Sequence, residues 1–118
     1  MKIITHIIEG RKIAEITTDQ LLFRNIEEAT DLVGNLYYQQ IDKAIVLQKN
    51  IAPEFFDLKT GLAGEVLQKF TNYKIRLAIV GDFSTYTSKS LHDFILECNK
   101  GCHINFLNST SEALTWKA

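Results

Sequence analysis

One short apolar run constrains the fold of this chain more than any other feature. Between Ile75 and Val80 every residue except Arg76 is apolar. The run is too short for an ordinary helix, and a continuous apolar run of this length is typical of a strand that is covered on both faces. The sequence therefore predicts a central strand in a sheet that other elements cover.

Strand and helix patterns alternate along the rest of the chain. The predicted strands span residues 2–8, 12–16, 44–47, 75–80 and 103–107. Apolar residues at helical spacing predict helices from Asn25 to about Gln40, from Asp57 to Tyr73, from Ser88 or Ser90 to Gly101, and from Ser109 onward, where Ala113, Leu114 and Trp116 are apolar. Three of these starts have the spacing of a capping box: Asn25 with Glu28, Ser90 with Asp93, and Ser109 with Glu112. The order of elements is therefore ββαβαβαβα.

This order predicts the α/β class with a mixed, mostly parallel sheet. Strands that are separated by a helix run parallel and are joined by right-handed crossovers. Only Glu9, Gly10 and Arg11 join the first two strands, and Gly10 can adopt the positive φ of a tight turn. We therefore predict an N-terminal antiparallel hairpin, and we expect residues 1–118 to form one domain.

Composition argues against several classes of protein. Thirteen Lys and Arg residues face fourteen Asp and Glu residues, so a net charge of −1 gives no electrostatic reason to expect a nucleic acid. No apolar run approaches the ~20 residues that a membrane span needs. Two cysteines make no disulfide framework, and the N-terminus lacks the apolar segment of a secretory signal. We expect a cytoplasmic protein.

The second predicted helix has an unusual start. Asp57 can accept hydrogen bonds from the free amides of the first turn. Gly61 and Gly64 then fall in the first turns, where each glycine costs roughly 1 kcal/mol relative to alanine. We expect that the backbone there lies close to a neighbouring strand or a ligand. The stripe that we expect to be buried consists of Leu58, Leu62, Val66, Phe70 and Tyr73.

The predicted topology indicates where a site would lie. Loops that follow the carboxyl ends of parallel strands gather at one edge of the sheet, together with helix N-termini. Residues 50–60, 82–90 and 108–111 are predicted to meet at that edge. We expect the functional residues there.

Two resemblances bear on the fold. The segment N-x-x-P-x-F-F-D-L-K-T-G-L-A-G-E-V-L-Q-K-F-x-N-Y from Asn50 to Tyr73, with the later runs L-A-I-V-G-D-F and S-K-S-L-x-D-F-I, resembles the bacterial domain-of-unknown-function family forty-one-eighty. That resemblance covers nearly the whole chain and implies a small bacterial single-domain protein with no assigned activity. The element order is also similar to the STAS fold of anti-sigma-factor antagonists.

The STAS resemblance implies a place for a phosphate acceptor. Those domains carry an Asp-Ser-Ser/Thr-Gly-Leu run at the start of the second helix, where the Ser beside the Asp is usually the acceptor. The corresponding run here is Asp57-Leu58-Lys59-Thr60-Gly61-Leu62. Aligned on Gly-Leu, Lys59 occupies the acceptor place, so the sequence departs from the phosphorylation motif.

The same run has two interpretations. Backbone amides near Asp57 and Gly61, with Thr60 and Lys59, could hold an anion at the positive end of a helix. Alternatively, Asp57 caps the helix and Lys59 is solvated. We favour capping, because it explains the same residue types and because Asp57 would repel an anion.

Asp82, Phe83 and Ser84 follow the central strand. Asp82 could act as a base or a metal ligand there, and with Glu54 and Asp57 it could hold Mg²⁺. Asp also favours turns after a glycine. We favour the turn, because nothing in the spacing requires a metal.

A second set of reactive side chains lies at the end of the third predicted helix. Cys98, Cys102 and His103 form C-x-x-x-C-H, six residues after His92. The spacing matches no standard zinc site, and Cys98 lies on the apolar stripe, so we expect a buried free cysteine.

The sequence contains no established catalytic or cofactor motif, so we predict no cofactor, no metal and no catalytic residue. Our interpretation is a non-enzymatic regulatory or protein-binding domain. The alternative is a small protein or enzyme that binds an anionic ligand through Asp57, Thr60 and Asp82. Homodimer formation stays open, as does a contact role for Tyr37 and Tyr38, although ordinary packing is favoured for these two tyrosines. The residues proposed for ligand or partner binding are Asp57, Lys59, Thr60, Gly61, Gly64, Asp82, Phe83 and Ser84.

Overall fold

The computed structural model describes residues 1–101 and 103–115 as one mixed sheet with helices on both faces. The strands are β1 (Lys2–Ile8), β2 (Arg11–Thr17), β3 (Lys43–Leu47), β4 (Arg76–Val80) and β5 (Ile104–Leu107). The α-helices are α1 (Ile26–Tyr38), α2 (Leu62–Asn72), α3 (Lys89–Lys100) and α4 (Thr110–Thr115). The predicted α/β class and the order of the elements are confirmed.

The strands lie in the sheet in the same order as in the chain. β1 and β2 are antiparallel, and every later pair is parallel. Glu9 and Gly10 have φ of 53° and 79° and form a two-residue turn between β1 and β2, the conformation that favours a tight hairpin. The predicted N-terminal hairpin is therefore confirmed.

Three helices cover the first face of the sheet. Because each parallel crossover steps to the next strand in the same direction and is right-handed, α1, α2 and α3 all lie on this face. Their buried side chains pack on one strand surface into a single core. The strand residues of that core are Ala14, Ile16, Ala44, Val46, Leu77, Ile79, Ile104 and Phe106.

The second face is covered by the short helix α4. Ala113 of α4 is fully buried and packs with Ile13, Ile45, Ala78 and Val80. β4 is therefore enclosed on both sides, as its apolar sequence predicts. Among the described residues, no helix is both long enough and apolar enough to cross a membrane.

Lys43 lies within the second face. Its side chain is only 5% exposed, and its Nζ donates a hydrogen bond to the carbonyl oxygen of Ala113 at 2.7 Å. Burial lowers the pKa of Lys43, and the nearby charges of Arg76 and Arg11 lower it further. The hydrogen bond of Lys43 thus holds α4 against β3, although burial of the charged ammonium group is electrostatically unfavourable.

The depressed pKa of Lys43 predicts a pH dependence of stability. Between its folded and unfolded pKa values the unfolded chain binds more protons, so a rise in pH through this window stabilises the fold. We expect the free energy of unfolding of the wild type, minus that of Lys43→Met, to increase with pH across the window below the ordinary lysine pKa. Urea unfolding at a series of alkaline pH values measures this difference, and a constant or falling difference would contradict the prediction.

The helix starts largely follow the capping signals. Oδ1 of Asn25 accepts from the Glu28 amide at 2.9 Å, but the Glu28 carboxylate accepts from the backbone amide of Arg24 and not from that of Asn25. Ser88, and not Ser90, caps α3 by accepting from Leu91 N. For α4, Ser109 accepts from the Glu112 amide at 3.1 Å, as predicted; Trp116 lies outside the described residues.

The start of α2 differs from the prediction. Asp57 caps a separate 3₁₀ turn, Leu58–Thr60, and α2 begins only at Leu62. Gly61 precedes the helix with φ of 75°, a left-handed conformation that favours glycine. A Cβ on Gly64 would meet nothing within 4 Å, so the expected close approach of backbone is absent at both glycines.

Two other expectations also change. Tyr73, expected in the buried stripe, is 41% exposed at the end of α2 and packs edge-to-face on Tyr37, with ring centroids 5.2 Å apart. Residues 50–56 are not a plain loop, because Pro53–Phe56 forms a 3₁₀ turn. Phe55 and Phe56 of this turn are buried in the first-face core.

We expect alanine substitutions at Gly64 and Gly61 to change the stability of the fold in opposite directions. Gly64→Ala raises the free energy of unfolding by about 1 kcal/mol, because the helix gains propensity in open space. Gly61→Ala lowers it by about 1–2 kcal/mol, because a Cβ is strained in the left-handed conformation. Chemical denaturation of both variants checks the pair. If both substitutions changed the free energy of unfolding by the same amount in the same direction, the two glycines could not have the different conformations found at the start of α2.

Candidate functional site

The loops after the four parallel strands form one edge of the molecule, as the topology predicts. We call this edge the rim and define it as residues 18–25, 48–61, 81–88 and 108–109, which follow β2, β3, β4 and β5. All the residues proposed from sequence except Gly64 fall within the rim. Gly64 lies in the first turn of α2.

Aromatic contacts bring two of the predicted segments together. The ring of Phe56 stacks on Tyr86 with centroids 5.2 Å apart and lies 6.4 Å from the ring of Phe83. Phe83 packs edge-to-face on Phe106 of β5. The segment around Asp57 therefore lies beside the segment around Asp82, and Phe83 serves as packing between the rim and the sheet.

Gln48 is a rim residue that the sequence reasoning missed. Its Oε1 accepts from the backbone amide of Asp82 at 3.0 Å, and its Nε2 donates to the hydroxyl of Tyr86 at 2.8 Å. Gln48 directly follows β3 and Gly81 directly follows β4, and the two strands end in register at Leu47 and Val80. A glycine beside a long polar side chain at matched strand ends is the signal that could have indicated this contact.

Gly81 leaves the space that Gln48 fills. A Cβ on Gly81 would lie 2.2 Å from Oε1 and 2.5 Å from Cβ of Gln48. Both distances are well below van der Waals contact, and the second involves an atom that a rotamer change does not move. The glycine is therefore required by the packing between the two loops.

Gly81→Ala tests this packing. We expect it to lower the free energy of unfolding by about 1–3 kcal/mol, as overpacked sites do. Gly64→Ala is the matched control, since its added methyl group meets open space. Urea unfolding of both variants checks the expectation, and an unchanged Gly81→Ala stability would mean that Gln48 moves aside without loss.

The polar groups of Asp57 and Thr60 serve the local backbone. Asp57 Oδ1 accepts from the Lys59 amide at 3.2 Å. The Thr60 hydroxyl lies 2.9 Å from the Asp57 carbonyl oxygen, to which it can donate, and accepts from the Leu62 amide at 3.2 Å. Thr60 therefore accepts from the first backbone amide of α2, while Asp57, predicted to cap that helix, caps the 3₁₀ turn before it.

Four backbone amides near Asp57 and Gly61 are used within the segment. Thr60 N donates to the Asp57 carbonyl oxygen and Gly61 N to the Leu58 carbonyl oxygen, at 3.1 and 3.2 Å. The amides of Lys59 and Leu62 are bound as described above. The side chain of Lys59 is exposed beside these amides.

Asp82 and Ser84 form a local turn. Asp82 Oδ1 accepts from the backbone amide of Ser84 at 3.0 Å and from its hydroxyl at 2.6 Å. These two hydrogen bonds lower the pKa of Asp82, because they favour the charged form. A carboxylate of lowered pKa that is held in this way is a poor general base.

The rim carboxylates do not assemble a metal site. Across residues 1–101 and 103–115, no group of three or more His, Cys, Asp and Glu side chains is placed to hold a metal ion. The arrangement of Glu54, Asp57 and Asp82 around Mg²⁺ is therefore not found.

The cysteine and histidine cluster is likewise not assembled within the described residues. Cys98 is half-buried, and burial raises the pKa of its thiol, with a smaller effect from Glu97. A raised pKa makes a thiol a poor nucleophile. Nε2 of His92 is hydrogen-bonded to the carbonyl oxygen of Tyr86. Cys102 lies outside the described residues.

An apolar hollow lies on the rim beside these hydrogen-bonded turns. It has a volume of about 440 Å³, and Leu21, which is 44% exposed, and the exposed Lys49 stand at its wall. The remaining lining residues are Gln48, Ile51, Pro53, Phe56 and Tyr86. The rim therefore offers an apolar and aromatic surface with lysines, and not a constellation of reactive groups.

A second exposed aromatic surface lies at the opposite edge. Tyr37 and Tyr38, at the end of α1, are 59% and 88% exposed. Together with Tyr73 they border an open depression that Asp42 and Lys74 also line. Both tyrosines of the predicted pair are thus accessible.

Comparison with known proteins gives a family and no activity. The chain belongs to the family described as Domain of unknown function (DUF4180), which it matches over residues 8–116. No match was found among curated proteins or among solved structures. The family resemblance of the sequence is thereby confirmed.

Proposed function

We propose that this member of the DUF4180 family is a non-enzymatic, regulatory protein-binding domain whose rim contacts a partner protein. The proposal rests on one observation: the polar side chains of the rim form hydrogen bonds within the fold. Asp57, Thr60, Asp82 and Ser84 all make hydrogen bonds within their own turns. Side chains that are already committed to the fold suit a rigid contact surface better than a reaction.

The exposed remainder of the rim has the character of a contact surface. Leu21 is 44% exposed and borders the hollow with Pro53 and Tyr86. Lys49 and Lys59 add charge at its border. Apolar and aromatic groups with a charged margin are typical of protein interfaces.

The STAS-like assignment is part of this proposal. Its support is the element order, a hairpin followed by repeated helix–strand units, which is the order that suggested the resemblance. Lys59 at the acceptor place argues against the phosphorylation switch of those domains. Phosphorylation of Thr60 would also remove the hydroxyl that caps α2. We infer binding without such a switch, in the bacterial cytoplasm.

The alternative is an anionic metabolite at Asp57, Thr60 and Asp82. The amides of Lys59, Thr60, Gly61 and Leu62 are occupied, and Asp57 and Asp82 carry negative charge toward solvent. Native mass spectrometry with a metabolite mixture tests it directly. An adduct that is retained by the wild type and lost in Asp82→Asn would favour the alternative over the protein-binding proposal.

Two surface variants test the rim while leaving the hydrogen bonds of its turns in place. Lys59→Glu and Leu21→Asp each change an exposed side chain, so we expect the fold to be kept and partner recovery to fall at least tenfold. Affinity capture from native lysate with quantitative mass spectrometry measures the recovery of each co-purified protein. Thr60 is left unchanged, because its replacement would weaken the start of α2.

Lys100→Glu is the matched control for the charge reversal. Lys100 is exposed at the end of α3, far along the helix from the rim, and its ion pair with Glu97 is a surface pair of small energetic value. We expect Lys100→Glu to recover the same proteins as the wild type. Identical recovery by the wild type, both rim variants and the control would rule out the rim as the interface.

A further inference from the structure

We propose that β1 pairs with β1 of a second copy of this chain, antiparallel across a two-fold axis at Thr5, and so joins two five-stranded sheets. This surface is the lateral edge of the sheet and differs from the rim. The proposal therefore stands independently of the function proposed above.

The edge of β1 is open and lacks the usual protection. β1 lies at one end of the strand order, and among the described strands it pairs only with β2. Proline, a bulge or a central charge commonly blocks the pairing of an edge strand. The seven residues KIITHII contain no proline, their register with β2 is unbroken, and their lysine stands at the end.

The apolar exposure of β1 also favours a partner strand. Ile7 is 72% exposed and Ile4 is 38% exposed. His6 already has a partner within its own chain, since its Nε2 lies 2.9 Å from the Glu15 carboxylate. The strand thus presents isoleucines at its open edge, and its histidine is held by β2.

The hairpin turn fixes which backbone groups face outward. A two-residue turn makes its flanking residues, Ile8 and Arg11, a hydrogen-bonded pair. Because hydrogen-bonded and non-hydrogen-bonded pairs alternate along an antiparallel ladder, the even-numbered residues of β1 bond to β2. The N–H and C=O groups of Ile3, Thr5 and Ile7 therefore point away from the sheet.

The strand is complementary to itself in this register. With Thr5 opposite Thr5 of the second copy, Ile3 lies opposite Ile7 of the second copy, and Ile7 opposite Ile3. All three pairs join outward-facing backbone groups, so each can form two hydrogen bonds. Side chains at positions 3, 5 and 7 share one face of the sheet, so the exposed Ile7 is covered by an isoleucine and the two threonines meet on the axis. Such an interface is isologous and closes as a dimer.

Sedimentation velocity over a range of concentrations tests the proposal. We expect a concentration-dependent dimer for the wild type and for Ile7→Val, and a dissociation constant at least tenfold weaker for Ile7→Lys. Ile7 is largely exposed, so the lysine is compatible with the fold, which circular dichroism verifies. A wild type that stays monomeric at every concentration, or an Ile7→Lys variant that dimerises as tightly as the wild type, would overturn the proposal.

Amide hydrogen exchange identifies the interface itself. In the dimer we expect slow exchange at Ile3, Thr5 and Ile7, and in Ile7→Lys we expect fast exchange at positions 3 and 5. Ile4 and His6 bond to β2, so their amides should exchange slowly in both proteins and serve as the internal control. A dimer in which the amides of Ile3 and Thr5 exchange rapidly would show that another surface forms it.

Discussion

Burial of β4 on both faces is the constraint on which the rest of this structure depends. A strand with almost no polar residue has to be covered twice, and each cover has a different origin. The crossovers between parallel strands place α1, α2 and α3 on the first face. The second face receives nothing from those crossovers, so the six-residue helix α4 has to fold back over it. Lys43, buried beside Arg76, holds that helix by its last buried residue, Ala113.

The same topology limits what the rim can do. Parallel sheets usually bind ligands in a crevice where the strand order reverses, and the five described strands follow one another without reversal. Their loops therefore lie side by side and bind each other. Gln48 joins the loop after β3 to the loop after β4, and the ring of Phe56 fills the space between them. The rim uses the polar groups of Asp57, Thr60, Asp82 and Ser84 to build its own turns.

Local signals in the sequence predict the helices and strands, but they do not predict the contacts between the loops that connect them. The apolar run at β4 and the capping role of Asn25 and Ser109 depend on neighbours within a few residues, so the sequence predicts them. Asp57 caps a separate 3₁₀ turn and α2 begins only at Leu62, a division that the local sequence does not indicate. The contact of Gln48 with Gly81 requires the register between β3 and β4, which no local pattern contains. The loops were predicted correctly to lie at one edge, and the favoured roles of Asp57 as a cap and of Asp82 as a turn residue are confirmed. The start of α2 at Leu62 and the contacts of Gln48 were not predicted.

The late position of α4 in the chain has a consequence for synthesis. The strands that supply the buried residues of the second face, β2, β3 and β4, precede β5 in the chain, but the helix that covers them follows it. Until residues 110–115 emerge, Ile13, Ile45 and Val80 of that face remain in contact with solvent. Nascent chains with an exposed apolar sheet face are prone to aggregate and to engage chaperones. The order of the elements thus leaves an interval during synthesis in which only chaperones could keep this apolar face from contacting other chains.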